Sequence, residues 1–392
     1  MPSNLHSAVG PTTMKYMGSK RAMLTNGLGH LIEEKTKDRR RFVDLFCGSG
    51  AVSSFVAQRT ELPVLASDLQ KYATTLTEAV ICRTKGFDLQ KVHDVWYREA
   101  SNWIHEDPAF LKEVLALGQQ PTNGPESIEW IGRTRVIAEL SSPRYPITRA
   151  YGGYYYSIQQ ALAIDALRAT VNKKNRATKL AALISAASSC AAAPGHTAQP
   201  FSTTETSLPH LLNAWRKDVF LETTQALNKL STTWAKVRGE VKQKNALDVT
   251  ENLNDGDLVF VDPPYSEVQY SRFYHVLETV VTGKAITAEG SGRYPPITQR
   301  PQSAFCLLTK SIDEFDRLML GIAAQGAHSI VTFPAGVASN GLSGEIVEAL
   351  SAQYFKVKKR EVASVFSTLG GNKSNRNARQ GTNELILYLV PI

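Results

Sequence analysis

The sequence predicts an α/β protein, an open and largely parallel sheet interrupted by a long helical insertion. Three observations carry that prediction. The short unbroken apolar run at residues 258–261 reads as a strand covered on both faces, and residues 42–46, apolar but for Asp44, read as the first strand. A glycine turn, Cys47-Gly48-Ser49-Gly50, leads from the first run into a helix predicted over Ala51–Arg59, which is the alternation that builds a parallel sheet. That alternation is lost between Lys71 and Lys244, where helical patterns dominate, and resumes near Ala246.

Residues 1–13 read as a lead-in. In Lys15-Tyr16-Met17-Gly18-Ser19-Lys20, Gly18 and Ser19 stand just before a helix predicted over 22–34. Backbone N–H groups and two lysines at such a terminus suit a ligand carboxylate or phosphate, and equally suit an ordinary capped basic helix. In the next turn Gly48 and Gly50 let the backbone bend tightly and approach a ligand closely. A dinucleotide site would place a third glycine at position 53, which is Ser53, and this argues against a nicotinamide or flavin enzyme. Residues 63–67 read as a second strand ending at Asp68, about 20 positions past the glycine turn, placed to accept ribose hydroxyls or to cap the following helix.

Within the helical stretch, breaks at residues 121–125 and 194–200 carry proline and glycine, and residues 178–193 are rich in Ala and Ser. The tyrosines of Tyr151-Gly152-Gly153-Tyr154-Tyr155-Tyr156 and the basic Lys173-Lys174-Asn175-Arg176 could stack on bases or contact phosphates, or could serve packing and solvation. A third strand is expected at 246–249, with Asp248 at its tip as an acceptor for a cofactor adenine or as a turn residue. The strand ending at Val261 follows. A loop over 291–303 with Arg293, Tyr294 and Arg300 could cover a substrate. A fifth strand is expected at 328–333, and runs at 354–360 and 384–390 close the sheet. Between these two, a basic loop holding Lys373, Arg376 and Arg379 could grip DNA phosphates.

The most informative stretch is Asp262-Pro263-Pro264-Tyr265. Prolines end the strand because they fix φ and have no N–H for a ladder. A carboxylate, a free carbonyl and a flat ring are thereby held at the carboxyl end of a strand, where ligands bind in open α/β sheets. The Asp262 carboxylate and the Pro263 carbonyl can accept one N–H each from an exocyclic amino group while Tyr265 covers the ring, a description that fits adenine. Hydrogen bonds to a charged group contribute about 1.5–3 kcal/mol and aromatic stacking about 1–3 kcal/mol, enough to offset the few kcal/mol of pulling a base from a duplex. A strand followed by a Pro-Pro turn with a surface tyrosine is the plainer alternative.

With 392 residues the chain can bury a sizeable core, and 43% hydrophobic and 20% charged residues are the proportions of a globular protein. A net charge of +8 favours acidic partners, nucleic acid first among them. The four cysteines Cys47, Cys82, Cys190 and Cys306 show no metal-ligand spacing, so a reduced, cytoplasmic setting without a metal is expected. No apolar run reaches membrane-spanning length, and residues 1–11 lack a signal-peptide core.

Taken in order, Lys15 to Lys20, Asp44-Leu45-Phe46-Cys47-Gly48-Ser49-Gly50 and Asp262-Pro263-Pro264-Tyr265 resemble the motifs of the Dam-type, alpha-group DNA N6-adenine methyltransferases. Asn383-Glu384-Leu385-Ile386-Leu387 after a basic loop is similar to the last motif of that family. The resemblance covers residues 14–70 and 245–392 well and the middle only loosely. It implies a Rossmann-like methyltransferase sheet formed by residues 1–70 and 245–392, with 71–244 as a helical target-recognition insert. It also implies S-adenosylmethionine held by Tyr16 and Lys20, by the segment from Asp44 through Phe46 and Gly48 to Gly50, and by Asp68, with Asp262 where cofactor and base meet. Asp262, Pro263 and Tyr265 would then act on a flipped adenine of double-stranded DNA, with no metal needed. A cognate restriction endonuclease is a partner the resemblance suggests, and it leaves the oligomeric state open. Competing readings are an N4-cytosine or RNA-base methyltransferase on the same fold, and a DNA-binding module that keeps the cofactor without turnover.

Overall fold

The computed structural model describes residues 18–122, 124–367 and 379–392. Tyr16, Lys373 and Arg376 lie outside them, and Arg379 enters only through its backbone. Among the described residues the sheet has seven strands: β1 (Arg41–Asp44), β2 (Val64–Asp68), β3 (Glu240–Gln243), β4 (Asp257–Val261), β5 (His328–Pro334), β6 (Phe355–Ser367) and β7 (Arg379–Pro391). Their order is β3-β2-β1-β4-β5-β7-β6, with β1 to β5 parallel and β7 running antiparallel between β5 and β6.

Side chains on successive strand residues point to opposite faces, and both faces here are covered. Phe42, Leu258, Phe260, Ile330 and Ile386 enter one core, while Val43, Val259, Val261, Val331, Phe333, Leu385 and Leu387 enter the other. This double burial is why β4 reads as a continuous apolar run and why β1 carries Phe42 and Val43 side by side. The amino ends of these two strands are locked by Arg41, whose Nε donates to Asp257 Oδ1 at 2.9 Å while Nη2 donates to Oδ2 at 2.6 Å, a forked pair that fixes the register Arg41↔Asp257. The same register carries Asp44 beside Phe260 at the other end. Since the sheet extends from β1 toward β2 on one side and β4 on the other, the crevice beyond their carboxyl ends is the topological switch point.

Two expectations are corrected, and one left open is decided. The helix expected over 22–34 is two helices, Arg21–Thr25 and Leu28–Lys35, broken at Gly27, whose φ of +93° no helix accommodates. The third strand is Glu240–Gln243, an edge strand paired with β2, whose half-exposed and exposed residues give no apolar run to detect. Residues 246–249 instead belong to the helix Ala246–Thr250, which buries Ala246, Val249 and Thr250 and is capped by Asn245. Asp248 sits exposed in its first turn, where a carboxylate complements the helix dipole, and not at a strand tip. Finally, Tyr151, Tyr155 and Tyr156 are core residues with satisfied hydroxyls: Tyr151 meets Thr279 Oγ1 at 2.9 Å, Tyr155 donates to the Thr197 carbonyl at 2.7 Å, and Tyr156 donates to the Ala187 carbonyl at 3.0 Å. They are not stacking platforms for bases, whereas Lys173, Lys174 and Arg176 are exposed.

The Ala/Ser-rich stretch forms the helix Arg176–Cys190, and its composition is a packing requirement. Ala181, Ala182, Ser185, Ala186 and Ala187 are all buried, and small side chains let Val219–Ser231 and Lys71–Ile81 pack closely on it. Helix Lys71–Ile81 and strand β3 both fall inside the 71–244 stretch, yet both pack with β2 in the sheet layers. No helix among the described residues is long and apolar enough to cross a membrane.

Gly50 supplies a direct check of the turn geometry. Its φ is +74°, and a Cβ there would lie 2.7 Å from Thr77 Oγ1. Gly50→Ala is expected to lower stability by about 1–3 kcal/mol, from left-handed strain plus the displaced threonine, read as a lower urea midpoint at unchanged m-value.

Candidate active site

The crevice at the carboxyl ends of β1, β2 and β4 is lined by Ser19, Lys20, Asp44, Phe46, Gly48, Asp68, Asp262, Pro263 and Tyr265, together with Gln70, Asn245 and Phe305. Most of the residues singled out in the sequence therefore converge on one cleft. Gly50 stands behind the lining and shapes the turn, and Asp248 does not reach the cleft.

The glycine turn is held from the next strand. Asp68 accepts from the Gly48 N–H at 3.0 Å through Oδ2 and from the Gln70 N–H at 2.9 Å through Oδ1. Burial pushes its carboxyl up to about 6, against the pull of those N–H groups. Asp44 is also buried, and Ser53 Oγ donates to its Oδ2 at 2.6 Å. The serine at the position where a dinucleotide site would want glycine thus has a structural task. Burial pushes the Asp44 carboxyl up to about 7, with the Ser53 hydrogen bond opposing and the nearby Asp262 adding to the rise.

Asp262 is oriented by residues distant in sequence. Lys20 Nζ lies 3.0 Å from Asp262 Oδ1 and 2.9 Å from Glu384 Oε2, and Thr332 Oγ1 donates to the same Asp262 oxygen at 3.0 Å. Oδ1 is thereby committed within the protein, and the accepting role toward a ligand passes to Oδ2. Burial alone would lower the Lys20 ammonium, but the two carboxylates outweigh it and hold it charged. For Asp262 burial wins, and its carboxyl is pushed up to about 6, with Lys20 pulling it down and Glu384 pushing it up.

The wall after Asp262 is clamped by Asn340, a fully buried side chain that donates to the Pro264 carbonyl at 2.8 Å and the Phe305 carbonyl at 2.9 Å. The Tyr265 ring stands edge-on to Tyr270 and Phe333, and Phe46 meets Phe305 edge-on. Thr332 and Asn340 were not singled out in the sequence, Ser53 was noted only as a missing glycine, and Glu384 only within the closing motif. Glu384 also left a signal of its own, an acidic residue at the start of an apolar run.

The cleft also holds polar atoms that await a ligand. Ser19 Oγ and Gln70 Oε1 are buried without a hydrogen-bond partner among the described residues, and Asp44 Oδ1, near the Phe46 N–H, has no well-formed bond. Three carboxylates, Asp44 buried and Asp68 and Asp262 half-buried, whose ionisation their enclosure opposes, make a place for a cation bearing several N–H or O–H groups.

A parallel sheet with an antiparallel seventh strand slotted in beside β5, and an acidic cleft at its switch point, defines a Rossmann-like methyltransferase fold. The family model for D12 class N6 adenine-specific DNA methyltransferase matches residues 16–110 and 136–332, and the chain belongs to that family. It is similar to modification methylase LlaI of Lactococcus lactis subsp. lactis, 22% identical over 71% of this chain and 42% of the relative. It is also similar to the type II methyltransferase M.FokI of Planomicrobium okeanokoites, 24% identical over 68% of this chain and 36% of the relative. The chain spans about two fifths of the length of these relatives.

Removing Lys20 would strand two buried carboxylates. Lys20→Met is expected to cost about 3–5 kcal/mol in a urea melt, and Lys20→Met combined with Glu384→Leu should recover part of that loss, because one uncompensated charge is removed with its partner.

Proposed function

We propose that this protein transfers a methyl group from S-adenosylmethionine to N6 of an adenine everted from double-stranded DNA. The observation that carries the reading is the fixed Asp262 carboxylate, held on one oxygen by Lys20 and Thr332, in the same cleft as the Pro263 carbonyl, the Tyr265 ring and the glycine turn. S-adenosylmethionine, when bound, supplies an electrophilic methyl carbon on a sulfonium.

The donor set fits that cofactor. Asp44, Asp68 and Asp262 favour a ligand with positive charge, Asp68 lies at the tip of β2 for ribose hydroxyls, and Ser19 Oγ and Gln70 Oε1 gain partners. On the substrate side, Asp262 Oδ2 and the Pro263 carbonyl accept the two amino hydrogens. That draws the nitrogen lone pair out of conjugation with the ring and makes it the nucleophile. Tyr265 covers the base, and at neutral pH a carboxyl near 6 is ionised and able to take the proton the amino group sheds. Burial holds the Tyr265 hydroxyl up at about 12, so its ring meets the base uncharged.

The relatives' names, a modification methylase and a type II methyltransferase, support a role in marking DNA beside a cognate restriction endonuclease. The basic segment with Lys373, Arg376 and Arg379 would add phosphate contacts, and residues 71–244 would read the target.

Methylation-aware sequencing of DNA from cells expressing the protein is expected to show N6-methyladenine in one sequence context, absent without expression. N4-methylcytosine as the product would overturn the substrate assignment. Asp262→Asn should lower methyl transfer by at least about 100-fold with purified components, and near-normal turnover would remove Asp262 from the mechanism.

A further inference from the structure

Just outside the cleft lining, two arginines share one tyrosine. Arg272 follows the cleft-lining Ser271, and Arg300 precedes the cleft-lining Pro301. The two segments are joined at the rim by Gln269, whose Nε2 donates to the Ser303 carbonyl at 2.9 Å while its Oε1 accepts from the Ser303 N–H at 2.8 Å. Between them, Tyr294 has the Arg272 Cζ 4.8 Å and the Arg300 Cζ 5.4 Å from its ring centroid. Arg272 Nε donates to the Tyr294 hydroxyl at 3.1 Å, and that hydroxyl donates to the Ala198 carbonyl.

Neither guanidinium has a carboxylate partner among the described residues. The contrast with their neighbour is plain, since Arg293 on the same loop pairs with Glu139 at 2.8 Å. Glu289 approaches Arg300 only closely enough to be felt electrostatically. His275, tilted against Tyr294 at 4.8 Å between centroids, is kept neutral by burial and adds no further positive charge. Arg300 is half-buried, and its Nε is enclosed without a hydrogen-bond partner. Two like charges gathered on one ring, one of them with an enclosed donor left unpaired, favour an anion that joins them.

An everted base stays tied to its backbone, so the phosphates on either side of it must come to the rim of the pocket that takes the base. Guanidinium forks match phosphate oxygens in charge and geometry. We propose that Arg272 and Arg300 clamp the DNA phosphodiester next to the everted adenine, with Tyr294 as the spacer that sets their separation. This rests on the DNA-methylating reading above.

The test uses the full chain and a duplex built around the adenine mapped by sequencing. For Arg272→Ala/Arg300→Ala, KM for DNA should rise about 10-fold or more and the log–log salt slope of DNA binding should become shallower by about 1–2, while KM for S-adenosylmethionine stays unchanged. Neutral methylphosphonates flanking the target adenine should weaken the wild type to a similar degree and leave the double variant unaffected. Arg272→Ala alone, at an exposed position that leaves folding intact, should show about half the slope change. Unchanged slope and KM in that single variant, or equal methylphosphonate penalties in wild type and double variant, would overturn the clamp. A wild type that leaves the duplex unmethylated would instead overturn the function on which it rests.

Discussion

The cleft depends on one buried ionic contact, the Lys20 ammonium held between Asp262 and Glu384. Its three members come from the segment before the first helix, the end of β4 and the strand β7 that closes the sheet. Each charge alone would be costly to bury, and the three together offset much of that cost. The contact therefore couples completion of the sheet to the aim of a single carboxylate. Removal of one partner leaves an unbalanced charge where a ligand must bind, and for that reason the arrangement specifies orientation more than it adds stability.

Around that contact the fold divides its tasks. The Arg41–Asp257 pair sets β1 against β4, which places Asp44 beside Phe260 at the other end, two residues before Asp262. Asp68 ties the glycine turn to β2, and Asn340 ties the Pro-Pro corner to Phe305. The helical region is not hung on a linker. It reaches the loop at the rim through Arg293 and Glu139, through Tyr155 and the Gly292 carbonyl, and through the Ala198 carbonyl and Tyr294. A segment that read a DNA sequence would thus be connected to the rim of the cleft by direct contacts.

Much of this was legible in the chain. β4 announced itself because double burial demands unbroken apolar residues, β1, β2, β5 and β7 through apolar stretches with few polar breaks, edge strand β6 through Phe355 and Val357 alternating with lysines, and the helix Ala51–Arg59 because a glycine turn precedes it. β3 was not legible, since an edge strand with Glu240 and Lys242 has one neighbour and little burial. The apolar run at 246–249 misled for a related reason: a short run is compatible with one buried helix face as well as with a strand. Within the cleft, Asp44, Asp68, Asp262 and Tyr265 could be found from their places at strand ends. Asn340 could not, because its value lies in two carbonyls that only the folded chain brings within reach. The tyrosines at 151, 155 and 156 show the converse, since aromatic clusters look alike in sequence whether they face bases or a core.

The most direct measurement is a carbon-13 NMR titration of the aspartate carboxyls in the protein without cofactor or DNA, with the Asp262 signal assigned by its loss in Asp262→Asn. In the wild type that carboxyl should titrate near 6; Glu384→Gln, by removing a negative neighbour, should move it down, and Lys20→Met, by removing the ammonium, should move it up. An Asp262 signal titrating in the ordinary carboxylate range and indifferent to both substitutions would contradict the account.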